Sequence, residues 1–147
     1  MTRPEFWFLF PFRVRYAEVD QQGVVFNAYY LVYFDTALTE YMRALPYDYA
    51  AHVKETGTDF HTVRAVVEYK APIHFDQEVE VGVRVARFGR SSITFVLAIF
   101  PKGEDTLLAS GEIVWVNTDQ AARKAAPVPQ AMRDAIVKRE GAHVAAS

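Results

Sequence analysis

Residues Arg13 to Arg43 read RVRYAEVDQQGVVFNAYYLVYFDTALTEYMR, and this stretch changes character once, at the polar segment Val19-Asp20-Gln21-Gln22-Gly23. Ahead of that segment, Phe12 to Glu18 read as a first strand. The segment itself is a turn whose Gly23 can take a positive φ. Beyond it, from Asn27 to about Leu45, the apolar pattern turns helical. Leu31, Leu38, Met42 and Leu45 recur at spacings of seven, four and three, and Tyr30, Phe34, Ala37 and Tyr41 form a second stripe beside them. Asn27 stands at the expected N-cap and Pro46 ends the helix. A helix apolar over so much of its girth is predicted to be largely wrapped by the rest of the chain.

Working outward, everything from Phe60 to Asn117 reads as strand. Val79, Val81, Val83 and Val85 alternate with Glu80, Gly82, Arg84 and Ala86, a period of two, and Ile93, Phe95, Leu97 and Ile99 make the next strand. Leu107 to Val116 makes the last. Ala71-Pro72, Phe88-Gly89-Arg90-Ser91 and Pro101-Lys102-Gly103-Glu104-Asp105 carry turn chemistry, and such short connections favour antiparallel pairing. The order is strand, long apolar helix, then four strands. It predicts an α+β fold in which a curved antiparallel five-stranded sheet wraps around one long central helix. Pro127 and Pro129 precede a short helix, Gln130 to Lys138, and Gly141 to Ser147 read as a frayed tail. One helix cannot cover both faces of such a sheet, so the outer face, with Val66, Val96 and Val114, predicts a homo-oligomer.

The bulk composition is consistent with this picture. The chain has 147 residues, one domain's worth, with an N-terminal aromatic segment over 1–11 and a C-terminal helix and tail over 127–147. Half its residues are apolar and its net charge is −2, so disorder and a nucleic-acid or anionic-membrane partner are disfavoured. Cysteine is absent, which removes thiolate nucleophiles and Cys-ligated metals and fits a cytoplasmic location. The aromatic run Phe6-Trp7-Phe8-Leu9-Phe10 is too short to span a membrane and is expected to cover a sheet edge or a partner surface.

Within the quoted stretch, Tyr16, Asp20, Gly23, Val24, Val25 and Tyr30 form a Tyr-x-x-x-Asp-x-x-Gly-Val-Val-x-x-x-x-Tyr pattern. Glu68-Tyr69-x-x-Pro72, Phe75-Asp76 and Gly89-Arg90-Ser91-Ser92 follow in order. This resembles the 4-hydroxybenzoyl-CoA thioesterase-like branch of the hot-dog superfamily over roughly Phe12 to Asn117. The resemblance implies a hot-dog fold, an acyl-CoA substrate, dimers or tetramers, a catalytic carboxylate at Asp20 and a backbone N–H at Asn27 that polarises the thioester carbonyl. Asn27 departs from the His or Tyr common at that position, so only its backbone role carries over.

The residues themselves permit that chemistry. Thioester hydrolysis needs a group that activates water or attacks the carbonyl, and donors for the developing oxyanion. Asp20 can supply the first as base or nucleophile, or it can merely cap its turn. The helix N-terminus beyond Gly23 can supply the second. Asp35, on the helix, is a second carboxylate and is expected to be paired with a strand residue or with the other subunit. His61 is the histidine nearest the expected cleft, and His52, His74 and His143 read as structural or surface. No metal-ligand spacing occurs and no cofactor is expected, coenzyme A being part of the substrate. Cations for its phosphates are sought in Arg87 and Arg90, with Arg64 and Lys70, and Ser91 and Ser92 beside them. Phe26, Tyr29, Tyr30 and Tyr33 read as acyl pocket, core or interface. An acyl-carrier-protein thioesterase and a non-catalytic acyl-CoA-binding protein remain the alternatives. A dehydratase lacks its histidine near Asp20, and no Gly-x-Ser-x-Gly elbow is present.

Overall fold

Alternation along β3 and β4 builds the surface on which everything else rests. In the computed structural model, which describes residues 1–141 and Val144, the elements are β1 (Phe8–Arg13), α1 (Tyr29–Ala44), α2 (Tyr49–Thr56), β2 (Thr58–Tyr69), β3 (Glu78–Phe88), β4 (Ser92–Pro101), β5 (Ala109–Asp119), β6 (Lys124–Ala125) and α3 (Gln130–Glu140). They form an antiparallel sheet in the order β1-β3-β4-β5-β2, with the two-residue β6 beside β5. The register Val81↔Ile99, Val83↔Leu97 and Val85↔Phe95 sets the valines of β3 and the large residues of β4 on one face.

α1 lies on that face. Tyr30, Tyr33, Phe34, Ala37, Leu38, Tyr41 and Met42 are all buried, joined by Val79 to Val85 and Ile93 to Ile99 in one apolar cluster. At roughly 1.5–3 kcal/mol for each large apolar side chain withdrawn from water, this is the dominant stabilising term. The expected wrapping is one-sided, however. Leu31 and Val32 remain 41% and 48% exposed, so Leu31 leaves the buried stripe in which the sequence pattern placed it.

The first strand begins and ends earlier than expected. β1 is Phe8–Arg13, pairing with β3 at the sheet edge, and Tyr16–Glu18 is a 3-10 turn. The strand signal is the alternation Phe8, Phe10, Phe12, whose rings pack on the core; a continuous aromatic run hides it in the sequence. Phe6 crosses to the outer face and sits over Gly82, where a Cβ would lie 2.7 Å from its ring. With Ala98 and Phe100 it forms a small second cluster, against which Val96 and Leu107 pack.

One helix, α2, was not apparent from periodicity. α2 is opened by Asp48, whose carboxylate accepts from Ala51 N at 3.0 Å, and closed by Gly57 at φ +68°. α3 runs two residues further than expected and buries Met132 and Ile136, while its Glu140 Oε2 accepts from Tyr41 OH at 2.6 Å and Val85 N at 2.8 Å. Of the segment read as a frayed tail, Val144 packs into the core, whereas 142, 143 (the His143 position) and 145–147 lie outside the described residues.

β5 allows α1 to come close through Gly111, whose missing Cβ would lie 2.3 Å from Phe34 Cε2 and 2.7 Å from the Val66 carbonyl oxygen. The Val66 oxygen is backbone held in the β2–β5 ladder and cannot step aside. Gly111→Ala is therefore expected to cost about 1–3 kcal/mol in urea unfolding; a variant as stable as the parent would show the approach to be loose.

Candidate active site

The Asp20 loop is closed by its own backbone. Val19 and Val25 form a β-bridge, Asp20 N donates to Val24 O at 2.9 Å, and Gly23 N donates to Asp20 O at 3.0 Å. Gly23 takes φ +75°, the left-handed geometry that this turn requires. The loop is also tied to the segment after β2: Val25 N donates to Ile73 O at 2.8 Å and Phe75 N to Gly23 O at 3.0 Å. Asp20 is exposed. Its Oδ1 accepts from Gln22 N at 2.8 Å, so the turn-capping role is realised, while Oδ2 meets no donor among the described residues.

The start of α1 lies at the same end of the sheet. The N-cap is Ala28, not Asn27, and no side chain caps the helix. The reason is a preceding turn, in which Tyr29 N donates to Phe26 O at 2.9 Å and Tyr30 N to Asn27 O at 3.4 Å. Tyr69 OH also donates to Asn27 O, at 3.0 Å. The N–H groups of Asn27 and Ala28 meet no acceptor among the described residues and stand at the positive end of the helix dipole. An exposed carboxylate oxygen and free amides at one end of α1 have the chemistry of a base or nucleophile and of oxyanion donors.

One group in this region was read only as the end of a strand. Glu18 is 4% exposed. Its Oε1 accepts from Tyr33 OH at 2.7 Å and Arg15 N at 2.8 Å, and its Oε2 from Arg15 Nε at 3.0 Å. Burial pushes the carboxyl upward, but these hydrogen bonds from Arg15 and Tyr33 outweigh it and hold the group below the usual carboxylate range. Burial, then the facing carboxylate, raises the Tyr33 phenol, which stays protonated as the donor. A Glu two residues before Asp20 carried no signal of burial, because the 3-10 turn that tucks it inward read as strand.

Other anticipated residues are dispersed. Tyr30 is buried, its ring 4.7 Å from that of Tyr69. β3 starts beside the Asp76 turn, near the Asp20 loop, and runs about 35 Å away over its eleven residues. Arg87, Arg90, Ser91 and Ser92 therefore lie at the opposite end of the sheet from Asp20 within one chain. His61 is at that far end as well, with its Nε2 3.1 Å from Gln120 Nε2. Arg64 pairs with Glu112, and Lys70 with Glu68 at 2.8 Å. Asp35 is exposed, and its carboxylate has no partner within this chain among the described residues. A cavity of about 510 Å³, lined by Met42, Tyr47, Tyr49, Phe60 and Trp115, also lies at the far end of α1. Beside it, His52 is buried against Tyr47 OH at 2.8 Å, and burial lowers its pKa. Among the described residues, no three His, Asp or Glu side chains converge as a metal site.

Because the Glu18 pKa is lowered on folding, its contribution to stability is complete above its unfolded value and is lost as pH falls through the folded one. Glu18→Gln is expected to lower stability at pH 7, with the gap to the parent closing as pH drops below the ordinary value of 4.5. Chemical denaturation at a series of pH values checks this. A gap that widens on acidification would contradict the assignment.

Comparison with known proteins agrees with this architecture. The family model of the thioesterase-like superfamily matches residues 14–136. An acyl-CoA thioester hydrolase, YbgC, of Escherichia coli O6:H1 is 30% identical over 125 residues, covering 85% of this chain and 92% of the relative. A Thermus thermophilus thioesterase solved with coenzyme A and Zn superposes with a TM-score of 0.79 at 31% identity, over 95% of this chain and 98% of that one. The PA5185 protein of Pseudomonas aeruginosa PAO1 gives 0.83 at 30% identity, over 96% of both chains. A chain matched along this much of its length, in sequence and in fold, belongs to the thioesterase-like superfamily.

Proposed function

We propose that the protein is an acyl-CoA thioesterase that hydrolyses a short aliphatic or aromatic acyl-CoA, with Asp20 as its reactive carboxylate. The observation that carries this reading is the pairing, at one end of α1, of the exposed Asp20 carboxylate with the free N–H groups of Asn27 and Ala28. The naming of YbgC and the coenzyme A held by the Thermus relative support the donor. In the general-base route, Asp20 takes a proton from water as the water oxygen bonds to the carbonyl carbon. The two amides hold the oxyanion, the C–S bond breaks, and the thiolate leaves with the proton. In the nucleophilic route, the carboxylate displaces the thiolate to give a mixed anhydride, which water then opens. The acyl-carrier-protein donor and the non-catalytic binding role are the competing readings. The cytoplasm is the compartment this function assigns, and 1–147 is taken as one domain.

The same reading assigns a homodimer or tetramer. β2 is a twelve-residue edge strand with β5 as its neighbour; its own Val63 and Tyr69 are exposed apolar side chains, as are Phe26 ahead of α1 and Leu31 and Val32 on α1. Two copies paired antiparallel along β2 would set the far end of one sheet, with Arg87, Arg90, Ser91 and Ser92, next to Asp20 of the other. This gives those residues, Gly23 as the turn former and Tyr30 as a wall of the site their proposed places; Asp35 and His61 rank behind them.

Asp20→Asn is expected to retain the fold and to lower thiol release from acyl-CoA esters by about 10²–10⁴-fold. Asn at the wild-type rate would sink the role of Asp20. Parallel rates on CoA and carrier-protein thioesters identify the donor, and tight binding with no turnover would favour the non-catalytic role. Light scattering is expected to give at least twice the 16.7 kDa of one chain, with Val63→Lys shifting the protein towards a single chain and lowering activity. A monomeric, fully active parent would remove the oligomer from the reading.

A further inference from the structure

The two halves of the proposed machinery sit on different elements, Asp20 on a loop and the free amides at the start of α1, so their separation must be set by something between them. Glu18 is placed to do this. Its backbone and side chain reach both sides at once: Glu18 O accepts from Phe26 N at 2.9 Å, next to Asn27, and its carboxylate accepts from Tyr33 OH at 2.7 Å, one turn into α1. Two residues further along the chain is Asp20. We propose that Glu18, through its buried hydrogen bond to Tyr33, is a positioning residue that fixes the Asp20 loop against the N-terminus of α1. The proposal rests on the thioesterase reading for its kinetic consequence, but not for its structural one.

Three features distinguish this pair from ordinary core packing. Tyr33 is 1% exposed and its ring stacks on Phe12 at 5.0 Å, contacts that Phe would make equally well. The hydroxyl's partner is Glu18. A buried carboxylate is costly unless fully partnered, and an apolar pair of the same shape would hold the core as firmly. Glu18 is partnered from two sides. Tyr33 donates from inside the core, while the Arg15 backbone and guanidinium close the outside, Arg15 remaining 75% exposed. An apolar contact could slide, whereas this arrangement fixes distance and direction. Because a displacement of even about 1 Å at a reacting group can cost a hundredfold in rate, directional fixing of Asp20 has a kinetic value that core stability does not measure.

The test is Tyr33→Phe, which removes one oxygen and leaves the ring, with Glu18→Leu, which has no acceptor, as a second variant and the double variant to close the cycle. Two quantities are read: kcat and KM for acyl-CoA hydrolysis per folded protein, and amide hydrogen exchange at Gly23 and Phe26. Tyr33→Phe is expected to lower kcat about 10–100-fold with KM changed by no more than about twofold. It is also expected to speed exchange at both amides, and the double variant should be no worse than Glu18→Leu alone, since Leu has no acceptor for the Tyr33 hydroxyl and both changes remove one interaction. A lowered Tm with kcat and exchange unchanged would show a merely structural role and overturn the proposal. Should the parent release no thiol, the thioesterase reading fails on its own, and amide exchange still decides the clamp: unchanged protection of Gly23 and Phe26 in Tyr33→Phe overturns it.

Discussion

The burial of one face of α1 against β3 and β4 is the interaction on which the rest of the structure depends. Tyr33, Phe34, Ala37, Leu38 and Tyr41 are almost wholly removed from water on a surface of valine, isoleucine, leucine and phenylalanine. The missing side chain of Gly111 lets Phe34 come close enough to complete that packing. The contact fixes where the N-terminus of α1 points. The preceding loop, tied by backbone hydrogen bonds to Ile73 and Phe75, has little freedom to be anywhere but beside it.

The local chemistry follows from that constraint and from a second, polar one. The loop between β1 and α1 carries an exposed acid and a buried one two residues apart. Their environments give them opposite character. Asp20 faces solvent with one oxygen capping its own turn, whereas Glu18 is sealed by Tyr33 and Arg15 and kept ionised by the hydrogen bonds they donate. One acid is available to a substrate and the other is committed to the fold.

The two ends of the sheet divide the remaining features. The Asp20 loop and the α1 start lie at one end, and the Gly89 turn, His61 and the aromatic cavity at the other. A single chain cannot bring the two together, because β3 spans the whole distance. In the oligomer proposed above, the exposed apolar residues along α1 and β2 would meet a second copy and remove that separation.

The sequence by itself determined the order of the five main strands and the long helix, the antiparallel sheet around that helix, and the turn holding Asp20 and Gly23, because these depend on periodicity and turn chemistry, which are local. It misplaced β1 and the helix cap, where an unbroken aromatic run and a preceding turn concealed the boundaries. It overlooked α2, although Asp48 and Gly57 marked both its ends. Only the tertiary structure decided that Leu31 stays in water while Tyr30 does not, that Arg87 and Arg90 lie far from Asp20, and that Glu18 meets Tyr33. The physical reason is common to all three. Which side of a helix meets the sheet, which end of a strand a turn occupies, and whether a carboxylate is sealed in are set by contacts between residues distant in the chain, and no spacing along the chain records them.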